Sequence, residues 1–418
     1  MSVARPQIVV DPGSHALLNA GDVAMLQVCL ARLEALWPQA RLRVLTTAPD
    51  VLARVFPAAE PLPAQGRYSW FREGGAADPP RHGGAALLAR AAAAGRHALR
   101  PHGRALLRAE LRLRGLRGGP AGALVDALTE ADLLIVAGRG GLADAFLEDT
   151  LAVLGLLELA AEVGVPSAMV SQGAGPADDS ALRERVREVL PTVAFVGVRE
   201  RLYAPALLAA AGVAARRVHV TGDDSVERAF EARPEAPPDG TIGVSLRFAP
   251  YYETRPEDAD LLRSALRELC AALGAQMLPV PISAYPHEAD ADAIAAVTGE
   301  RAPAGPDEAI RRAGLCRVVA TASYHAGVFA LAQGVPVVGV ARSEYQARKL
   351  HGLADLFGRG CTVVRLDEPG APERLRRELE AAWREAPALR EPLLESAAAQ
   401  LEAGVAAYRR LRELVDLG

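Results

Sequence analysis

The chain has 418 residues and a mass of 43.9 kDa, of which 50% are hydrophobic and 5% aromatic, so its cores are built from Ala, Leu and Val and there is chain enough for two or three domains. A formal net charge of −4 gives no global attraction to nucleic acid, and nucleic acid is excluded as a partner. Cys29, Cys270, Cys316 and Cys361 lie far apart, without the paired spacing of a zinc site or a small disulfide framework, so they read as buried thiols of a reducing compartment and no metal is expected.

From the N-terminus, "QIVV" reads as a buried strand, "DPGSHALLNAG" as a loop, and Asp22 to Trp37 as a helix with Met25, Leu26, Cys29, Leu30 and Leu33 on one face. No secretory segment precedes that strand and no apolar run is long enough to span a bilayer, which predicts a cytoplasmic protein. "RLRVLTT" follows as a second strand. Further strands are read at "DLLIVAG", "PSAMVSQG", "VAFVGVR" and "RVHVTG", each opening toward a helix, the pattern of a doubly wound parallel sheet.

One stretch departs from this rhythm. From Arg81 to Arg117 there are nine arginines against a single acidic residue, Glu110, with leucines between them; Pro101 and Gly103 divide the stretch into two short helices. Two readings stand: a solvated helical excursion, or a surface docking on an anionic membrane, which would place the protein peripherally at the inner face.

The Pro-rich segment "EARPEAPPDG", residues 231–240, reads as a linker, after which the strand–helix alternation restarts at "TIGVSLR", "AQMLPVPI", "CRVVATA", "VPVVGVA" and "CTVVRL". The organisation expected is an α/β fold of two Rossmann-like doubly wound domains facing a cleft: residues 1–232 with the excursion at 81–117, a linker at 233–240, a second domain at 241–385, and a helical tail at 386–418 crossing back to the first half. Ligands of open α/β sheets bind at the C-terminal ends of the strands.

At those strand ends stand the chemical candidates. A helix starting after "VVATAS" would aim its free N–H groups into the cleft with His325 in its first turn and Ser323 or Thr321 as cap, an anion site with an acid or base beside it. Arg139 in the glycine loop "GRGG" with Gly138 and Gly140, Gln172 and Gly173 in "QGAG", Arg199 after "FVGV", Arg247 after "GVSL" and Lys349 beyond the last quoted strand suggest a cleft lined by cations and glycine backbone, suited to a small multiply charged anion. Asp22 and Asp144, each near a helix start, read either as favourable helix N-terminal charges or as hydroxyl-binding or base residues, and the pair Asp223 and Asp224 reads as capping. "GRGGLAD" matches neither the Walker nor the dinucleotide fingerprint.

Taken in order, "NAGDVAML", "VAGRGGLAD", "SQGAGP", "GVRER", "VTGDDS", "IGVSLR" and "ATASYHAGVFALAQGVPVVGVARSEYQARKLHGLADLFG" resemble the motifs of the polysaccharide pyruvyl transferases over most of the chain. The resemblance implies a GT-B-like fold and transfer of pyruvate from phosphoenolpyruvate, as donor substrate with no further cofactor, to two hydroxyls of a sugar, a glycan or a lipid-linked acceptor. It implies a donor side in residues 241–385 and an acceptor side in 1–232, places the catalytic histidine on His325, and puts the cations that bind phosphoenolpyruvate on Arg199 and Lys349, with Arg247 beside them. Asp22, with Asn19 and Gly21 around it, would orient an acceptor hydroxyl. Tyr324 and Arg139 depart from the family pattern. Two alternatives stay open: a glycosyltransferase using a nucleotide sugar, against which Phe329 and Ala330 stand where a ribose-binding carboxylate is common, and a non-catalytic binding partner in glycan assembly.

Overall fold

The computed structural model describes residues 5–72, 103–113, 118–236, 239–288 and 290–415. Strands β1 (Gln7–Asp11), β2 (Arg41–Thr46), β3 (Glu60–Pro63), β4 (Leu133–Val136), β5 (Arg139–Leu142), β6 (Ser167–Ala174), β7 (Phe195–Val198) and β8 (Val218–Val220) form one parallel sheet in the order β3-β2-β1-β4-β6-β7-β8, with β5 paired to β6 off this path. Strands β9 (Thr241–Ser245), β10 (Gln276–Pro279), β11 (Val318–Thr321), β12 (Val337–Ala341) and β13 (Cys361–Arg365) form a second parallel sheet, in the order β10-β9-β11-β12-β13. Central strands such as β4 (LLIV) and β12 (VVGVA) are buried along their whole length, as strands covered by helices on both faces must be. β3, with Pro61 and Pro63, sits at a sheet edge, where a residue without an N–H leaves no neighbouring strand unpaired.

The alternation of side chains along each strand splits the apolar residues into two layers per sheet. Val9 of β1 joins the core on one face while Ile8 and Val10 join the other, and Val319 of β11 is divided from Val318 and Ala320 in the same way. The registers Val10↔Val44 and Val10↔Ile135 in the first sheet, and Ala320↔Val244 and Ala320↔Val338 in the second, bring the C-terminal strand ends of each sheet level with one another.

Among the connections between the halves, three involve the main chain. The chain passes through the 232–240 region; the loop before the first helix is stitched to the loop after β10 by Ala20 N–H donating to Ile282 O (2.8 Å) and Ala284 N–H donating to Leu18 O (2.8 Å); and one helix, Ala371–Leu414, runs across both. Its Leu375 and Leu379 pack with the second sheet, while Ala407, Tyr408 and Leu411 pack with the first. The helix runs unbroken through the boundary expected at 385/386, although Pro387 lies just beyond it. Proline frees the carbonyl four residues back, and here that carbonyl, Trp383 O, accepts from Arg317 Nε at 3.0 Å.

Of the arginine-rich stretch, residues 81–102 and 114–117 lie outside the described residues. The described part is a single helix, Gly103–Leu113. Its Leu107 and Leu111 are buried in the first core, each contributing about 1.5–3 kcal/mol, and Arg104 donates to the carbonyls of Val163 and Ala131. That packing favours the helical-excursion reading for these residues. No helix among the described residues is long and apolar enough to cross a membrane.

Candidate active site

A cavity of about 420 Å³ opens between the two halves at the C-terminal strand ends. One wall is set by the helix Tyr324–Leu331 after β11 and, packed against its start, the helix Ala20–Leu36 after β1, and the first residues of both line the cavity. The second helix starts at Ala20 rather than at Asp22, because Asn19 is its cap, with Oδ1 accepting from the N–H groups of Gly21 and Asp22 at 3.0 and 3.3 Å. Asn19 and Asp22 both line the cavity. Ser323 occupies the cap position of the helix Tyr324–Leu331, but neither expected side chain caps it: Thr321 Oγ1 instead accepts from Ser323 N–H and donates to Ser323 O. The first-turn amides of that helix are left to whatever enters the cavity.

His325 is 7% exposed and lies flat against Gly21, where a Cβ would come within 2.0 Å of the ring. Gly21 therefore does not line the cavity; it makes room for the imidazole. Nε2 of His325 has no hydrogen-bond partner and stands 3.7 Å from Asp223 Oδ2, a charge contact longer than a hydrogen bond. The same oxygen accepts from Arg199 Nη1 at 3.1 Å, while Asp223 Oδ1 accepts from the Ser225 backbone N–H and hydroxyl. Burial alone would push the Asp223 carboxyl up, but His325 and Arg199 outweigh it and hold it below the usual carboxylate range.

Arg199 and Lys349 come from different halves, Arg199 from the end of β7 and Lys349 from the helix Glu344–Phe357, and meet over Gly140. A Cβ there would lie 2.7 Å from Arg199 Nη2 and 3.1 Å from Lys349 Nζ. Lys349 makes no ion pair among the described residues; Nζ donates to Tyr345 OH at 3.1 Å and lies over the Tyr345 and Tyr324 rings. Burial first, then the charges of Arg199 and Arg247, push its pKa well down. Arg247 is matched by Asp290, with Nε donating to Oδ1 at 2.7 Å, and its Nη1 donates to Tyr251 OH.

The cavity carries a second buried charge cluster. Arg67, fully buried, donates to Asp11 Oδ2 at 2.8 Å, to Tyr68 OH at 3.0 Å and to Asp149. Arg139 pairs with Asp149 and lies 3.7 Å from Asp11. His15 completes the cluster, Nε2 bonding Asp11 Oδ1 at 2.7 Å; burial makes it harder to protonate than usual. Two arginines here face two carboxylates. Around the cavity stand six of the chain's eight tyrosines, Tyr68, Tyr251, Tyr252, Tyr285, Tyr324 and Tyr345. In so aromatic-poor a chain that concentration marks the ligand surface, since each ring offers an apolar face and a hydroxyl.

Of the residues singled out in the sequence, Asn19, Asp22, Arg139, Gly140, Arg199, Arg247, Ser323, His325 and Lys349 line this one cavity. Gln172 does not, because its Nε2 is spent on the carbonyls of Val136, Ala137 and Val170. Gly138 packs on Met25, and Gly173 lies against Arg199 in a small pocket behind the main one. Asp144 accepts from the backbone N–H groups of Asp178 and Asp179, a brace for that loop. The glycine loop around Arg139 is itself strand β5. Missed in the sequence were Asp11, His15, Arg67, Asp149 and the tyrosines, and for Asp223 its place beside His325. The i,i+4 spacing of Asp11 and His15 directly after β1 was the one local signal available.

An imidazole beside an unmatched lysine, a half-matched arginine and open helix amides can protonate a small anion while holding it. A family model described as polysaccharide pyruvyl transferase matches residues 19–344. No curated protein matches the sequence. Among solved structures, the chain is similar to a UDP-GlcNAc 2-epimerase from Methanocaldococcus jannaschii, with a TM-score of 0.55 and 11% identity over 97% of this chain and 98% of that one. It is similar also to a co-structure of S. aureus MnaA with UDP, with a TM-score of 0.56 and 12% identity over 98% and 96%. A UDP-glucosyltransferase from Polygonum tinctorium capable of glucosylating indoxyl gives a TM-score of 0.54 at 12% identity over the full length of both chains. At such identities the likeness shows the fold, a GT-B-like pair of α/β domains.

Proposed function

The chain belongs to the polysaccharide pyruvyl transferase family, and we propose that it moves the pyruvyl group of phosphoenolpyruvate onto two hydroxyls of one sugar, closing a cyclic ketal and releasing phosphate. The observation that carries this reading is the meeting of His325 with Arg199 and Lys349 in one cavity, with Lys349 buried and unpaired by any carboxylate of the described residues. A bound multiply charged donor supplies the counter-charge that the protein withholds.

In this mechanism His325 gives a proton to the methylene carbon of the donor, and positive charge develops on the adjacent carbon. A sugar hydroxyl, oriented by Asp22, attacks that carbon and loses its proton. The carbon–oxygen bond to phosphate then breaks with its electron pair going to phosphate, and a second hydroxyl of the same sugar closes the ring. Of the two hydroxyl protons, one restores His325 and the other leaves on phosphate, so the atoms and charges balance. Asp223, tied by Ser225, keeps a negative charge beside His325 and Arg199. The tyrosine-lined wall suits a sugar ring. In this reading no metal or organic cofactor takes part.

A nucleotide-sugar donor fits less well, since Phe329 and Ala330 are fully buried in the core and bring no carboxylate to the cavity. The reaction run in heavy water tests the proposal. Each ketal methyl should gain one solvent deuteron as phosphate appears, and His325→Gln should suppress both by roughly a hundredfold. A phosphorylated acceptor without a ketal would overturn the assignment.

A further inference from the structure

Tyr324 stands where the family pattern has a different residue, and in the fold it lies against the cations of the cavity. It opens the helix that carries His325, is 4% exposed, and its hydroxyl has no hydrogen-bond partner. Its ring lies under Arg199, with Cζ 4.0 Å from the centroid, and 5.6 Å from Lys349 Nζ. It lines both the main cavity and the small pocket behind it, and in both it shares the wall with Arg199 and Lys349. Burial pushes the phenol pKa up, so the group is a neutral hydroxyl. An unsatisfied buried hydroxyl costs stability unless something comes to meet it. Lys349, which also has no carboxylate partner among the described residues, lies against the same ring and is itself a donor.

We propose that Tyr324 is a donor-binding residue whose hydroxyl, together with Arg199 and Lys349, forms the subsite for the phosphate end of the donor. The inference rests on the phosphoenolpyruvate reading. A dianion suits this corner better than a carboxylate does, because Lys349 has no carboxylate partner and Arg199 only shares Asp223 with His325, whereas Arg247 has Asp290 to itself. The ring face spreads the Arg199 charge without adding another cation beside Lys349. In that subsite the hydrogen bond from the hydroxyl to phosphate strengthens as the leaving oxygen takes the electron pair of the breaking carbon–oxygen bond.

Titration calorimetry on the full chain, with phosphoenolpyruvate, inorganic phosphate and pyruvate as separate probes, compares wild type with Tyr324→Phe, which keeps the ring and so the packing under Arg199. Tyr324→Phe should bind phosphoenolpyruvate and inorganic phosphate about tenfold more weakly, the worth of one hydrogen bond to a charged group, and pyruvate as well as wild type does, with no loss of thermal stability. Equal phosphoenolpyruvate affinity in the two proteins overturns the role of the hydroxyl. A weaker pyruvate affinity instead would move the hydroxyl to the carboxylate end and overturn the subsite. If wild type binds phosphate but not phosphoenolpyruvate, the donor reading falls while a phosphate effect of Tyr324→Phe still upholds the anion subsite.

Discussion

Two buried clusters of cations line one cavity, and they are built on opposite plans. In the cluster of Arg67, Arg139, Asp11 and Asp149, each cation has a carboxylate and the sum of formal charges is zero. In the cluster of Arg199, Lys349 and His325, Asp223 is shared by an arginine and a histidine, and Lys349 has only tyrosines. Both have paid desolvation; only the first recovers it within the folded chain. Charges that are matched internally hold the architecture, and those left unmatched are stabilised by what binds.

Substitutions separate the two plans. The largest effect falls on the matched cluster: Arg67→Met strands Asp11 without its main partner and should cost about 3–5 kcal/mol of stability in chemical denaturation. A loss below about 1 kcal/mol would mean the cluster is not self-supporting.

On the unmatched side the sign for stability differs. Lys349→Met removes a desolvated charge, so the melting temperature should hold or rise, while phosphoenolpyruvate affinity should fall by about 10- to 100-fold. A variant that melts lower yet binds normally would place Lys349 with the architectural charges.

A smaller effect is a proton. With its pKa depressed in the free protein, Lys349 is deprotonated between that value and its ordinary 10.5, so an anion that restores the pKa draws in a proton. Binding enthalpies measured in buffers of different ionisation enthalpy should show uptake that grows as pH rises within that window and vanishes in Lys349→Met. For stability the sign follows: the folded chain binds fewer protons than the unfolded one there, so Lys349 costs stability below the window and the cost fades as pH rises.

The smallest effect belongs to arginines matched by water. Arg108 is exposed on the helix Gly103–Leu113, and Arg108→Glu should change stability by less than about 0.5 kcal/mol. Anything larger would mean that this helix face is packed rather than solvated.

The unmatched cluster was legible in the sequence because each of its members follows a strand: Arg199 after "FVGV", His325 after "VVATAS", Lys349 eight residues past "VPVVGVA", in the helix that strand leads into. A strand end is a place the sequence can point to, and the topology then brings the ends together. Of the matched cluster only Arg139 was legible; Arg67 and Asp149 sit inside helices or at their starts and acquire meaning only through partners 56 and 82 positions away. Gln172 misled for the complementary reason: its place at a strand end was right, but the side chain turns back to satisfy backbone carbonyls. Gly21 was read as part of a binding turn, when what it provides is the space for an imidazole from the other half of the chain.

The stitch between Leu18–Ala20 and Ile282–Ala284 lies at the edge of the cavity, and its two N–H groups donate from opposite halves. Each exchanges its hydrogen for solvent deuterium only when its bond to the other half opens. The exchange rates of the Ala20 and Ala284 amides are therefore a built-in gauge of cleft opening, readable without label or ligand. Their slowing when the cavity is filled would report closure directly, in units of the equilibrium between open and shut.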